Sequence, residues 1–154
     1  MKYVNEALSE QKKKQQSPGE DDKSILYNDL DTESSDIDKE YEINKQVFQK
    51  LDSLIRRDEL YLSADLSRED LVRMAHMNNT RFAKMIKENT GGNLSGYINN
   101  LRLNHAIQLL NEHPNYTMKA IAEDSGFNSM PTFNNLFKKK TGMTPFEFKS
   151  AQKE

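Results

Sequence analysis

The span from Thr117 to Phe148, TMKAIAEDSGFNSMPTFNNLFKKKTGMTPFEF, carries a start or stop signal at nearly every turn of chain and leaves little freedom of fold. Thr117 is placed to cap a helix through Ile121 and Ala122, and Gly126 supplies the left-handed residue that ends it. Ser129 is placed to cap a second helix, in which Phe133, Leu136 and Phe137 recur at i, i+3, i+4. Gly142 stops that helix. Thr144-Pro145-Phe146-Glu147 then restarts the chain as a capping box, with Thr at N-cap, Pro at N1 and Glu at N3. Two short helices about a Gly-containing turn predict a helix-turn-helix unit. Phe127, Phe133, Phe137, Phe146 and Phe148 are read as its core.

A second unit of the same kind precedes it. Ser67-Arg68-Glu69-Asp70 reads as a capping box for a helix burying Leu71, Val72 and Ala75; His76-Met77-Asn78 makes the turn. Asn78 caps the next helix, which turns Phe82, Met85 and Ile86 inward and ends at Gly91-Gly92. A longer helix from about Leu94 to Glu112 joins the two units, with Tyr97, Ile98, Leu101, Ala106, Ile107 and Leu110 along it and Pro114 just beyond its end. Before the first unit, Ile43, Val47, Phe48, Leu51, Leu54 and Ile55 keep a helical stripe over about three turns. This helix is expected to pack on the following domain, with self-association through 43–55 as the other use of its stripe.

The expected organisation is therefore all-α: a disordered acidic tail or linker at 1–40, a packing helix at 41–62, the first helix-turn-helix with its linker helix at 63–112, and the second at 113–154. Residues 1–16 offer almost no apolar face, and Ser17-Pro18-Gly19 breaks whatever precedes it. From Glu20 to Glu42 there are ten acids against Lys23 and Lys39, too polar a stretch to offset its ordering entropy by burial. The cluster Ile25, Leu26, Tyr27 and Leu30 lies within it. The overall charge of −2 is divided unevenly: residues 1–62 carry 10 Lys+Arg against 15 Asp+Glu, and residues 63–154 carry 12 against 9. A mildly basic C-terminal part permits nucleic-acid binding without requiring it.

Chemistry is narrowly bounded. The absence of cysteine removes disulfides, thiolate metal sites and Cys nucleophiles together. His76, His105 and His113 have no ligand spacing, no Gly-rich phosphate loop or Gly-x-Ser-x-Gly occurs, and carboxylates are concentrated in the expected tail. Neither an enzyme nor a cofactor is expected. No apolar run approaches the ~20 residues of a membrane span, so the chain is expected to be soluble and cytoplasmic, without a membrane partner.

From roughly Leu66 to Lys149 the chain resembles the DNA-binding domain of AraC/XylS-type bacterial transcription regulators. The resemblance is carried by Ile121-Ala122, Gly126-Phe127, Ser129, Phe133, Phe137-Lys138, Gly142 and Thr144-Pro145, ending in Phe146-Glu147-Phe148-Lys149. It is also carried by Tyr97-Ile98-Asn99, Leu101-Arg102-Leu103, Ala106 and Leu109-Leu110 in the linker helix. Tyr61-Leu62 and the Gly91-Gly92-Asn93 loop look most like the Bacteroidetes branch, in which such domains often end larger membrane-spanning or two-component sensors. The resemblance implies a homeodomain-like tandem of helix-turn-helix subdomains, double-stranded DNA as partner, RNA polymerase as a second partner, and activation of transcription.

With the inward positions assigned, the outward ones become the DNA candidates. In the first recognition helix these are Asn79, Thr80, Arg81, Ala83, Lys84 and Lys87; by similarity Thr80, Ala83 and Lys84 stand where the family reads bases. Lys84 suits guanine O6/N7, and Ala83 or Thr80 a thymine methyl. In the second they are Ser129, Met130, Pro131, Asn134, Asn135 and Lys138, with Asn134 or Asn135 suited to adenine and Lys138-Lys139-Lys140 to phosphate. Three departures stand out: His76 where the family prefers a small residue, Asn135 in place of a common Arg, and Pro131 stiffening the first turn of the second recognition helix. Arg102 fits a structural ion pair and a DNA contact equally well. A different class of function, a helical protein-interaction module working through Ile25–Leu30 or 43–55, would leave DNA binding degenerate.

Overall fold

The computed structural model describes residues 23–152, with side-chain surroundings from residue 35 onward. The expectations for residues 1–22 lie outside the described residues. Among the described residues seven α-helices follow one another: α1 (Lys23–Arg57), α2 (Arg68–Ala75), α3 (Asn79–Thr90), α4 (Leu94–Glu112), α5 (Met118–Asp124), α6 (Met130–Thr141) and α7 (Pro145–Gln152), with a 3₁₀ turn at Leu60–Leu62 before α2. Among the described residues there is no strand.

The caps expected at Asn78, Thr117, Ser129 and Thr144 are formed. Asn78 Oδ1 accepts from the Arg81 amide at 2.9 Å, Thr117 Oγ1 from Ala120 at 3.0 Å, and Ser129 Oγ from Thr132 at 3.4 Å. Asn93 caps α4 through the Gly96 amide at 2.8 Å. The box at α7 is reciprocal: the Thr144 amide donates to Glu147 Oε2 at 3.1 Å and the Glu147 amide to Thr144 Oγ1 at 3.2 Å. Gly91 and Gly142 close α3 and α6 at φ 77° and 84°, a conformation that costs a residue with a Cβ.

The helix expected near Tyr41 instead begins at Lys23. No glycine or proline occurs between Lys23 and Arg57, so a helix propagating from the packed segment meets no breaker. An Asp36–Lys39 pair at 3.7 Å adds local support. Of the 43–55 stripe, Val47, Leu51 and Ile55 are buried, as is Asn44, a polar residue that the apolar pattern passed over.

The chain divides into two compact units. The first combines the part of α1 up to Ser53 with α2 and α3; Leu71, Ala75, Phe82, Met85 and Ile86 are buried there. The second takes Leu54–Ser67 together with everything from Gly92 on, so the long helix α4 belongs with the second helix-turn-helix rather than with the first. Its core joins Leu103, Ala106, Leu109 and Leu110 of α4 to Ile121, Ala122, Phe127, Phe133 and Phe137. Ring contacts run through it: Phe127 to Phe133 at 5.2 Å, Phe133 to Phe137 at 5.7 Å and Phe137 to Phe148 at 5.4 Å. Phe146 departs from expectation: 71 % exposed, it is not core. Pro145 and Phe148, three apart, share the inward side of α7, and Phe146 falls between them on the outward side.

Candidate nucleic-acid interface

Each helix-turn-helix leaves one face of its second helix open. On α3, Phe82, Met85 and Ile86 are buried, and Thr80, Ala83, Lys84 and Lys87, at i, i+3, i+4, i+7, are exposed with Asn79 beside them. On α6, Phe133 and Phe137 are buried, Leu136 is partly so, and Pro131, Asn134, Asn135 and Lys138 repeat the same spacing in the open. Counted from their caps Asn78 and Ser129, the two faces correspond residue for residue.

Four of the expected site residues are placed otherwise than as plainly open groups. Arg81 turns toward α1, with its side chain only 17 % exposed and Nε 3.5 Å from Glu40 Oε1. Met130 packs against the core of the second unit, and the Ser129 hydroxyl is spent on the cap. Lys84 remains exposed and lies 3.9 Å from Glu88, an exposed pair too weak to immobilise it. Of the lysine run, Lys140 reaches Asn100 on α4, while Lys138 and Lys139 are exposed along α6.

The turn of the second unit is clasped from behind. Arg102 of α4 donates from Nε to the Tyr61 carbonyl at 2.6 Å and from a terminal nitrogen to the Ser63 carbonyl at 2.8 Å. Burial pushes its guanidinium pKa down, the price of a charge held by two carbonyls instead of a carboxylate. The Tyr61 ring stands edge-on to His105 at 6.2 Å, and burial raises its phenol. Gly126, at φ 91°, closes against this clasp: a Cβ there would meet the Tyr61 carbonyl at 2.6 Å and Arg102 Nε at 2.8 Å. Arg102 is thus a structural tie, and its partners are backbone carbonyls rather than an ion-pair partner. No local sequence pattern reveals this tie, because Tyr61 lies 41 positions from Arg102.

The first turn is built differently. His76 occupies the left-handed region at φ 53°, where the second unit uses Gly126. Two residues separate α2's last residue from the cap Asn78, His76 and Met77, against four between Asp124 and Ser129. The His76 ring is exposed, so the turn tolerates its bulk while bearing its backbone strain.

Helices alone among the described residues, two such turns and two open helix faces at matching positions define a tandem helix-turn-helix protein. The family described as "Helix-turn-helix domain" matches residues 71–151, and the chain belongs to this AraC-type family of transcription regulators, which are not enzymes. It is 38 % identical over 80 residues to the uncharacterized transcriptional regulatory protein YesN of Bacillus subtilis, a match covering 51 % of this chain and 22 % of that protein. It is 32 % identical over 85 residues to the HTH-type regulator YobQ of the same organism, covering 55 % and 35 %. The matched region thus spans only 22 % and 35 % of these relatives. Among solved structures, the C-terminal domain of the two-component response regulator YesN from Fusobacterium nucleatum superimposes with a TM-score of 0.60 at 23 % identity, over 68 % of this chain and 98 % of that one. The DNA-binding domain of AdpA, solved with a target DNA, gives 0.59 at 22 % identity over 66 % and 90 %. Both likenesses are of fold.

Proposed function

We propose that the chain is a sequence-specific DNA-binding regulator of transcription that places α3 and α6 in successive major grooves. The observation that carries this reading is the correspondence of the two open faces: large apolar residues are buried, and four positions at i, i+3, i+4, i+7 stand exposed on each helix. A row so spaced lines one side of a helix, the geometry needed to read base edges from within a groove. The two rows differ in content. Thr80, Ala83 and Lys84 combine a methyl-sized contact with a guanine-reaching amine. Pro131, Asn134, Asn135 and Lys138 offer amides for adenine and a cation for phosphate. Two unlike readers in one chain favour an asymmetric site over an obligatory palindrome. Helix α4, with 19 residues, is about 28 Å long at 1.5 Å per residue, comparable with the ~34 Å of one DNA turn.

The finer reading is activation through contact with RNA polymerase, with the chain serving as the output end of a larger sensor or receiving its signal from an upstream partner. The likeness in fold to the C-terminal domain of a two-component response regulator supports the sensor arrangement, and the continuous helix α1 leading into the first unit is a fitting input element.

Titration of the full chain with promoter-sized duplexes at two salt concentrations tests the reading. A DNA binder loses affinity steeply as salt rises, by roughly 0.9 of a logarithmic unit per decade of salt for each phosphate neutralised. Binding that ignores salt and shows no preferred sequence contradicts it, and leaves the interaction-module reading in its place.

A further inference from the structure

Arg81 borders the open face of α3, about 60° round the helix from Lys84 at 100° per residue, yet its side chain is withdrawn from it. It is turned instead to Glu40 of α1, Nε to Oε1 3.5 Å. The junction is poorly satisfied. Nε and one terminal nitrogen of Arg81 are buried without a hydrogen bond. One turn along α1 from Glu40, the amide of Asn44 is fully buried with neither end partnered. Buried polar groups lacking partners oppose the arrangement that buries them, and they recover water when it opens. Below this polar turn α1 is anchored by Val47 and Leu51; above it Ile37 and Tyr41 stand exposed at 63 % and 44 %. The polar tie between this stretch and the recognition helix is the long Arg81–Glu40 ion pair.

We propose that Glu40 is a latch on the first recognition helix: it holds Arg81 back from DNA, and displacement of the 36–44 stretch of α1 frees that guanidinium for a phosphate flanking the groove that α3 enters. The proposal rests on the DNA-binding reading above. Carboxylate and phosphate compete for the same fork of donors, and a phosphate engages it bidentately. By linkage, DNA then loosens this part of α1, and any pull on α1 from its N-terminal side tightens DNA binding by the same factor.

The test is anisotropy of the full chain with a fluorescent, mixed-sequence duplex of about 30 base pairs over a range of salt. Glu40→Gln, isosteric and uncharged, is expected to tighten binding about three- to tenfold and to steepen the salt slope by about one phosphate. Arg81→Ala is expected to weaken binding by a smaller factor in the wild-type background than in the Glu40→Gln background, where it abolishes that gain. Glu42→Gln, an equal loss of charge at an exposed neighbour, is expected to give the smaller, general electrostatic effect alone. Circular dichroism of each variant checks that helix content is kept. Salt-dependent binding that Glu40→Gln leaves unchanged, or that Glu42→Gln alters equally, overturns the latch and spares the DNA reading. So does an Arg81→Ala loss of equal size in both backgrounds. No salt-dependent binding by any variant overturns both.

Discussion

Gly126 and His76 do the same backbone job under opposite constraints. Gly126 has a positive φ and no room: the Tyr61 carbonyl and Arg102 Nε lie within 2.8 Å of where a Cβ would be. Gly126→Ala should therefore destabilise the chain by about 2–3 kcal/mol, strain and displacement of the clasp together, read as a lower urea midpoint. His76 has a positive φ and open space around an exposed ring, so His76→Gly should stabilise by about 0.5–1 kcal/mol, with His76→Ala giving no such gain. Arg102 belongs to the same scale. Replacing it by Met strands two carbonyls and should cost about 2–3 kcal/mol, and Lys should recover little of that loss because a single ammonium cannot span the Tyr61 and Ser63 oxygens in the fork geometry. The positive φ at Gly126 was legible from its residue type; the clasp that also requires it was not, because its three parts are scattered along the chain.

Among the elements, those bounded by caps were the legible ones. Asn78, Thr117, Ser129 and the Thr144–Glu147 box each act on amides three residues away, so a local pattern contains the whole interaction. Asn78→Ala and Ser129→Ala should each cost about 1 kcal/mol in thermal or urea denaturation, with a larger loss at Asn78, whose bond is the shorter by half an ångström. Phe146 departs from the expected core because the cap at Thr144 fixes the phase of α7. Of the twelve expected interface residues, the exposed rows came from helical phase alone. The withdrawal of Arg81 depended on Glu40, 41 positions upstream, and so could not be seen in the phase of α3.

At the scale of the molecule, two compact units each present one recognition helix, and the family match runs across both from residue 71 to 151. On the proposed reading both open faces contact DNA, the first chiefly through bases and the second chiefly through amide contacts and phosphate. Selection of bound duplexes from a random library, sequenced for the wild type and for Lys84→Ala and Lys138→Ala, tests this most directly. The predicted result is an asymmetric motif of two short blocks about one helical turn apart. Lys84→Ala should relax one position within the first block at a cost of about 1–3 kcal/mol, while Lys138→Ala should weaken all sequences alike and reduce the salt slope by about one. A wild-type selection that returns no motif, or a Lys84→Ala motif identical to the wild type with only a uniform loss of affinity, would contradict it.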